Sequence, residues 1–272
     1  MDRVSRIALD VDGTLSDYGG VIDMRSIQLM LRRAHVGIVS SRLDCDRIAR
    51  DLGLGYACCA GRDKPTKAEC LMDYAARYPV PAGSIYIADM ESDFREAERA
   101  GWNFLDVNNI CVNLGAGGDI RRGCMNIDIR PLPGIDYVMD LESEELPLPD
   151  RSISRAIMYD VLEHFSWRKV RDVLAHVVAK IKAGGVLEVR TPDIEAIYQR
   201  VVARKDFRGD FRYRFEAISY WIGGGQDYPE NTHRAFWDAD ALKELLESTG
   251  LKVEECVSDG GTNVICRASR PA

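Results

Sequence analysis

The chain has 272 residues, 46% hydrophobic and 29% charged, an ordinary folded composition and enough length for two domains at roughly 100 to 200 residues each. Its 36 basic and 43 acidic residues leave a net charge of −7, so no overall positive field recruits a nucleic-acid backbone or an anionic membrane. No uncharged run reaches the roughly 18 apolar residues of a membrane span. The opening MDRVSRIALDVDG puts Asp10 and Asp12 where a signal peptide needs an apolar core, and the expected location is cytoplasmic. Eight cysteines are scattered without a CxxC pair, which predicts mostly buried free thiols rather than a disulfide scaffold or a zinc site.

From residue 6 onward, apolar β-rich runs alternate with helical patterns. A strand in RIALDVDG is followed by a helix near 26–34, a strand in VGIVSSR, helices near 44–52 and 66–78, a strand in SIYIADM, a helix near 93–100 and a strand in WNFLDV. A second series starts at Ile110 with ICVNLG, MNIDI, YVMDL and ISRAIMYDVL, then a helix near 167–181, GVLEVRTP, a helix near 194–203, an aromatic and charged insert, a helix near 240–248, and the closing pair KVEECV and TNVICRA. Such alternation signals βαβ units on parallel sheets. The fold class is α/β with two doubly wound, Rossmann-like domains, at 1–108 and 109–272. No Pro- or Ser-rich linker separates them, so a short junction near Asn108 and Asn109 and packed domains are expected.

Asp10-Val11-Asp12-Gly13-Thr14 follows a hydrophobic strand, which puts two carboxylates at the carboxyl edge of a parallel sheet, where open α/β folds place their sites. Neighbouring carboxylates repel unless a cation sits between them, a geometry suited to Mg²⁺. VGIVSSR ends a second strand in hydroxyls, DKPTK offers lysines, and SIYIADMESD ends a third strand in Asp89 with Asp93 four residues on. In this order the set resembles the haloacid dehalogenase-like (HAD) hydrolases over about residues 5–108. The resemblance implies Asp10 as a nucleophile that becomes an aspartyl-phosphate, Asp12 as general acid and base, Ser40 as the phosphate-binding hydroxyl, and Asp10, Asp89 and Asp93 with Asp12 and the Val11 carbonyl around Mg²⁺. The lysine is Lys67, favoured because it opens the helix before the third strand, or Lys64 in its Lys-Pro pair. Ala88 departs from the family's usual Gly before Asp89. The spacings from Thr14 to Ser40 and from Ser41 to Lys67 leave no room for a cap domain, so a lid would come from another domain or from a homo-oligomer.

ICVNLGAGGD is a strand running into a Gly-rich turn whose Gly115, Gly117 and Gly118 let a ligand approach the backbone. Alone this suits a dinucleotide, a flavin or S-adenosylmethionine. MNIDIR ends the next strand in Asp128, placed for a ribose diol, only 13 residues after Gly115 and short of the roughly 20 of a dinucleotide fold. With YVMDL, LPLPD and MYDVLEHF, the strings resemble class I S-adenosylmethionine-dependent methyltransferases over about residues 110–268. The resemblance implies Gly115, Ala116 and Gly117 along the methionine moiety, Asp128 on the ribose, Asp140 and Leu141 beside the adenine, and Asp160 at the site after the fourth strand. Ala116 in place of the commoner Cys, and Ser154 in place of an acid, are departures.

A methyltransferase must align an acceptor with the electrophilic methyl and often supplies a base. Asp160 and His164 after the fourth strand, Asp193 after VRTP, and His233 in GGGQDYPENTHRAFW are the acceptor-side candidates. The basic and aromatic stretch RVVARKDFRGDFRYRFE reads as a lid over a phosphorylated or acidic small molecule rather than a nucleic-acid surface. The expected enzyme is therefore bifunctional, a phosphatase fused to a methyltransferase acting on a small hydroxylated metabolite or sugar, with neither nucleic acid nor membrane as partner.

Overall fold

The computed structural model describes residues 3–203 and 211–272; the 204–210 part of the basic and aromatic stretch lies outside the described residues. Five parallel strands form the first sheet: β1 (Ser5–Leu9), β2 (Ala34–Ser40), β3 (Tyr56–Cys59), β4 (Ser84–Ala88) and β5 (Asn103–Asp106), in the order β3-β2-β1-β4-β5. The chain order reverses between β1 and β4, the switch point outside whose carboxyl ends such sheets open a crevice. Helices α1 (Met24–Met30), α2 (Cys45–Asp51), α3 (Lys67–Arg77) and α4 (Glu91–Ala100) connect the strands. β3 was not among the expected strands: its four residues YACC bury only Tyr56 fully and show no alternation. Gly37 in β2 has a packing reason, since a Cβ there would meet Tyr56 Cβ at 2.9 Å and Tyr74 Cε1 at 3.1 Å, where the two rings stack with centroids 4.2 Å apart.

The second sheet contains β6 (Ile110–Leu114), β7 (Met125–Asp128), β8 (Tyr137–Val138), β9 (Ile153–Tyr159), β10 (Ile181–Pro192), β11 (Lys252–Ser258) and β12 (Asn263–Ser269), ordered β11-β12-β10-β9-β6-β7-β8. β6, β7 and β8 run parallel, and β12 pairs antiparallel with β10 and β11. Its helices are α5 (Val170–Lys180), α6 (Ile194–Val202), α7 (Arg214–Gly223) and α8 (Ala239–Ser248). α7 lies where the sequence reads only as an insert, because its exposed Phe215, Tyr220 and Ile222 blur the one-sided stripe that marks a helix.

The chain forms two compact units, Met1–Ala156 and Ile157–Ala272, while the change of sheet falls at residues 107–109. Within the first unit, Tyr137 Oη donates to Leu29 O at 2.7 Å and Arg33 holds Glu144 with two bonds of 2.9 and 2.7 Å. Asn103 Nδ2 donates to Asp136 Oδ2 at 2.8 Å, and the Asn126 backbone and side chain donate to the same oxygen at 2.9 and 3.0 Å. Burial pushes the Asp136 carboxyl up to about 7 against the pull of these donors.

The cysteines correct the free-thiol expectation. Cys58–Cys70, Cys111–Cys124 and Cys256–Cys266 are disulfide-bonded, leaving Cys45 and Cys59 free. The spacing along the chain hides these pairs because the sheets make them: Cys256 and Cys266 are register partners across β11 and β12, and Cys70 on α3 reaches back to Cys58 on β3. Among the described residues, no helix is long and apolar enough to cross a membrane.

Candidate active sites

The carboxyl end of the first sheet gathers most of the charged residues singled out in its half of the chain. Asp10 follows β1, is 6% exposed, and its Oδ1 accepts the Val11 amide at 2.8 Å. Lys67 is the first residue of α3, whose start is fixed by a capping box between Thr66 and Glu69. Its Nζ donates to Asp10 Oδ2 at 2.7 Å and to Asp93 Oδ1 at 2.6 Å. Burial opposes the charge on Lys67, but the two carboxylates outweigh it and raise its pKa; burial raises Asp93 despite the ammonium.

Asp93 sits in the first turn of α4, and its Oδ2 is buried with no hydrogen-bond partner. One oxygen from each of Asp10, Asp89 and Asp93 lies within 4.8 Å of the others. Ser40, 2% exposed, ends β2. Together with Asp12 these side chains line a cleft of about 540 Å³. Gly13 turns the chain here at φ +68°, and a Cβ on it would run into the Asp89 carboxylate.

Two residues stand apart from that cluster. The Val11 carbonyl accepts the amides of Thr14 at 3.1 Å and Leu15 at 3.0 Å, closing the turn after β1. Asp12 keeps 65% of its side chain exposed and pairs with Arg42 Nη1 at 2.9 Å. Arg42 is held in turn by Asp44 at 2.7 Å and lies over the Tyr18 ring, 5.0 Å from its centroid.

The glycine turn follows β6. Gly115 and Gly117 adopt φ of +67° and +51°, which only glycine takes without strain, and no atom lies within 4 Å of where a Gly118 Cβ would stand. Asp128 at the end of β7 is 7% exposed and accepts the Gly117 amide at 2.8 Å and the Arg130 amide at 2.9 Å. Ala116 is buried beneath the turn, its amide on Ile127 O at 2.9 Å. Asp140 opens the turn containing Leu141 by accepting Glu142 N at 2.9 Å and Ser143 Oγ at 2.7 Å.

In the second unit, Asp160 stands just after β9 with φ +54°, an uncommon conformation for a residue with a side chain. It is ion-paired with Arg190 through Oδ1 at 3.0 Å and a second contact at Oδ2. The 3-10 turn Leu162–His164 follows. Glu163 is 2% exposed, and Thr191 Oγ1 donates to its Oε2 at 3.0 Å. Burial pushes Glu163 up to about 8, with Thr191 and the Arg190 charge pulling the other way. His164 Nδ1 lies 3.3 Å from Thr232 O, and the rings of His164 and His233 meet edge to face at 5.1 Å. Burial, then the neighbouring His164 charge, lowers the pKa of His233. Asp193 caps α6 by accepting Glu195 N at 3.0 Å and Ala196 N at 3.2 Å through Oδ1.

A family model described as a methyltransferase domain matches residues 92–256. The chain belongs to this methyltransferase family. It carries a class I S-adenosylmethionine-dependent methyltransferase domain and is an enzyme. No curated protein matches it. Among solved structures, a Haloferax volcanii methyltransferase in complex with the Trm112 methyltransferase activator is 12% identical, with TM-score 0.42, over 62% of this chain and 85% of its own. Burkholderia thailandensis 1,6-didemethyltoxoflavin-N1-methyltransferase, with bound 1,6-didemethyltoxoflavin and S-adenosylhomocysteine, is 12% identical, with TM-score 0.40, over 60% and 71%. An Archaeoglobus fulgidus SAM-dependent methyltransferase is 13% identical, with TM-score 0.37, over 75% and 95%.

Sequence reasoning passed over Glu163, Arg42 and Glu96. Glu163 stood inside the quoted VLEHF string beside His164, but an acid next to a histidine gives no sign that it will be buried. Glu96 lies one turn after Asp93 on α4 and accepts the Ala68 amide at 2.9 Å, a contact between two helices that no spacing predicts.

Proposed function

We propose that this methyltransferase-family enzyme transfers a methyl group to an oxygen of a small hydroxylated metabolite or sugar, and that its N-terminal portion is a Mg²⁺-dependent phosphomonoesterase of the HAD type. The observation that carries the methyl-transfer reading, beside the family match, is the Gly115–Gly117 turn joined to Asp128 at 2.8 Å. The residues fit the cofactor: the turn borders open space, and a carboxylate stands at the end of the next strand. When bound, S-adenosylmethionine supplies the electrophilic methyl. Asp128 would hold its ribose hydroxyls, Gly115, Ala116 and Gly117 its methionine moiety, and Asp140 and Leu141 would border the adenine. Asp160 would help hold the cofactor, and His164 or His233 would take the acceptor's hydroxyl proton.

The phosphatase reading rests on Lys67 joining Asp10 and Asp93 within the cleft. The donor set fits Mg²⁺, because it is all oxygen and Asp93 Oδ2 is buried without a partner. Asp10, Asp89 and Asp93 would hold the ion, which supplies positive charge for the phosphate oxygens. The Asp10 carboxylate attacks phosphorus, Asp12 protonates the departing alkoxide and then draws a proton from the hydrolytic water, and Ser40 and Lys67 bind the phosphoryl oxygens. Fusion of the two suggests a logic in which one substrate loses a phosphate and gains a methyl.

Two assays test this. S-adenosylhomocysteine titrated into the protein tests the cofactor site. Mg²⁺-dependent hydrolysis of an aryl phosphate, with Asp10→Asn as control, tests the other. Hydrolysis that persists in Asp10→Asn, or is absent from the parent protein across a panel of sugar phosphates, sinks the phosphatase half and leaves the N-terminal portion a scaffold.

A further inference from the structure

We propose that Glu163, His164 and His233 form a binding site for one divalent transition-metal ion, Zn²⁺ foremost, distinct from the carboxylate cleft beside Asp10. One ligand atom from each of the three lies within 4.8 Å of the others. A metal with bonds of about 2.0–2.2 Å to nitrogen and oxygen draws such a set together with small side-chain rotations. Two imidazoles and one carboxylate are a borderline-soft donor set that prefers Zn²⁺ over Mg²⁺ or Ca²⁺. Three protein ligands also leave a coordination position open, as catalytic rather than structural zinc sites do.

The cluster is built, not incidental. The Glu163 carbonyl accepts the amides of Arg234 at 2.7 Å and Ala235 at 3.2 Å, which pins the segment carrying His233 to the turn carrying the other two ligands. Gly224, at φ +77°, lets that segment close: a Cβ there would lie 2.5 Å from Asn231 O and 2.9 Å from His233 Cδ2. The surroundings orient the donors as metal sites require. His164 Nδ1 faces the Thr232 carbonyl at 3.3 Å, which fixes the plane of its ring. Thr191 Oγ1 engages Glu163 Oε2 at 3.0 Å. Metal-bound histidines and carboxylates are characteristically held by such outer hydrogen bonds. Glu163 is 2% exposed, and His233 Nδ1 is buried with no hydrogen-bond partner. A buried acid is costly, and a bound cation offsets that cost.

The use of the ion, though not its binding, rests on the methyl-transfer reading. Its open position would take the acceptor hydroxyl and lower that group's pKa; with the ion bound the histidines are its ligands, and the proton that one of them would otherwise take would pass to solvent.

The test is metal binding itself. Protein stripped with a chelator is titrated with Co²⁺, followed by visible absorption, and then with Zn²⁺ in competition, in the parent and in Asp10→Asn. The expected result in both is one Co²⁺ with the intense bands of a low-coordinate, nitrogen-ligated site, displaced by Zn²⁺. His233→Ala and Glu163→Gln should each weaken Co²⁺ by more than about 100-fold, and Thr191→Val, which removes only the outer hydrogen bond, by about 10- to 100-fold. Thr191→Val is nearly isosteric within β10, so it decides the matter should the ligand variants fail to fold. No such spectrum at stoichiometric Co²⁺, or an unchanged affinity in folded His233→Ala or Thr191→Val, overturns the proposal. Because metal affinity is read directly, a protein that binds Zn²⁺ but transfers no methyl would contradict only the methyl-transfer reading.

Discussion

Lys67 Nζ stands 2.7 Å from Asp10 Oδ2, inside a cleft where both side chains are largely buried. An ammonium in that place neutralises the Asp10 carboxylate in the resting site, and on the phosphatase reading proposed above it would bind phosphoryl oxygens. Asp10→Asn is therefore expected to reduce Mg²⁺-dependent phosphatase turnover to background. Lys67→Met should lower it by about 10²- to 10³-fold, the usual loss for one electrostatic donor. Steady-state hydrolysis by purified variants checks both, and wild-type rates in Lys67→Met would remove the lysine from the mechanism.

Asp12 and Arg42 form the exposed companion pair at 2.9 Å. If Asp12 acts as general acid and base, Asp12→Asn should cost about 10²- to 10⁴-fold in turnover with little change in melting temperature, since an exposed pair contributes about 0–1 kcal/mol. A thermal melt run beside the assay separates the two effects. A large stability loss with intact turnover would make the pair structural.

The buried Asp136 predicts a pH dependence of stability. Its folded pKa, about 7, lies above the unfolded value of about 3.9, so between these values the folded state holds the extra proton. Stability then falls as pH rises from about 4 to about 7 and levels off above. Asp136→Asn, which keeps one acceptor for the Asn103 and Asn126 donors, should flatten that slope. Urea unfolding from pH 4 to 8 measures it, and identical slopes in the two proteins would count against the shift.

Disulfide pairing predicts two titratable thiols, Cys45 and Cys59, in protein denatured without reductant, and eight after reduction. Loops of 10 to 13 residues make each bond worth about 3 kcal/mol, so reduced protein should melt measurably lower. Eight thiols before reduction would restore the free-thiol expectation.

What the sequence made legible follows from which constraints are local. Asp10, Asp89 and Asp128 announce themselves because each ends a hydrophobic strand, and strand ends are where α/β sheets concentrate chemistry. Which lysine meets Asp10 is not legible in the sequence: the Thr66–Glu69 capping box makes Lys67 the first residue of α3, and its Nζ reaches Asp10. β3 and α7 escaped because the first has too few buried residues and the second keeps apolar side chains in solvent. The disulfides and the Glu163 cluster are long-range: Cys256 meets Cys266 only through a sheet register, and Glu163 meets His233 only because the loop before α8 folds back onto the 3-10 turn.

The central claim is that the Gly115–Gly117 turn and Asp128 hold S-adenosylmethionine, and calorimetric titration with S-adenosylhomocysteine tests it most directly. One molecule should bind the parent protein. Asp128→Ala, stripped of charged hydrogen bonds worth about 1.5–3 kcal/mol, should bind about 10- to 150-fold more weakly while remaining folded. Absence of binding to the parent, or equal affinity in Asp128→Ala, would contradict it.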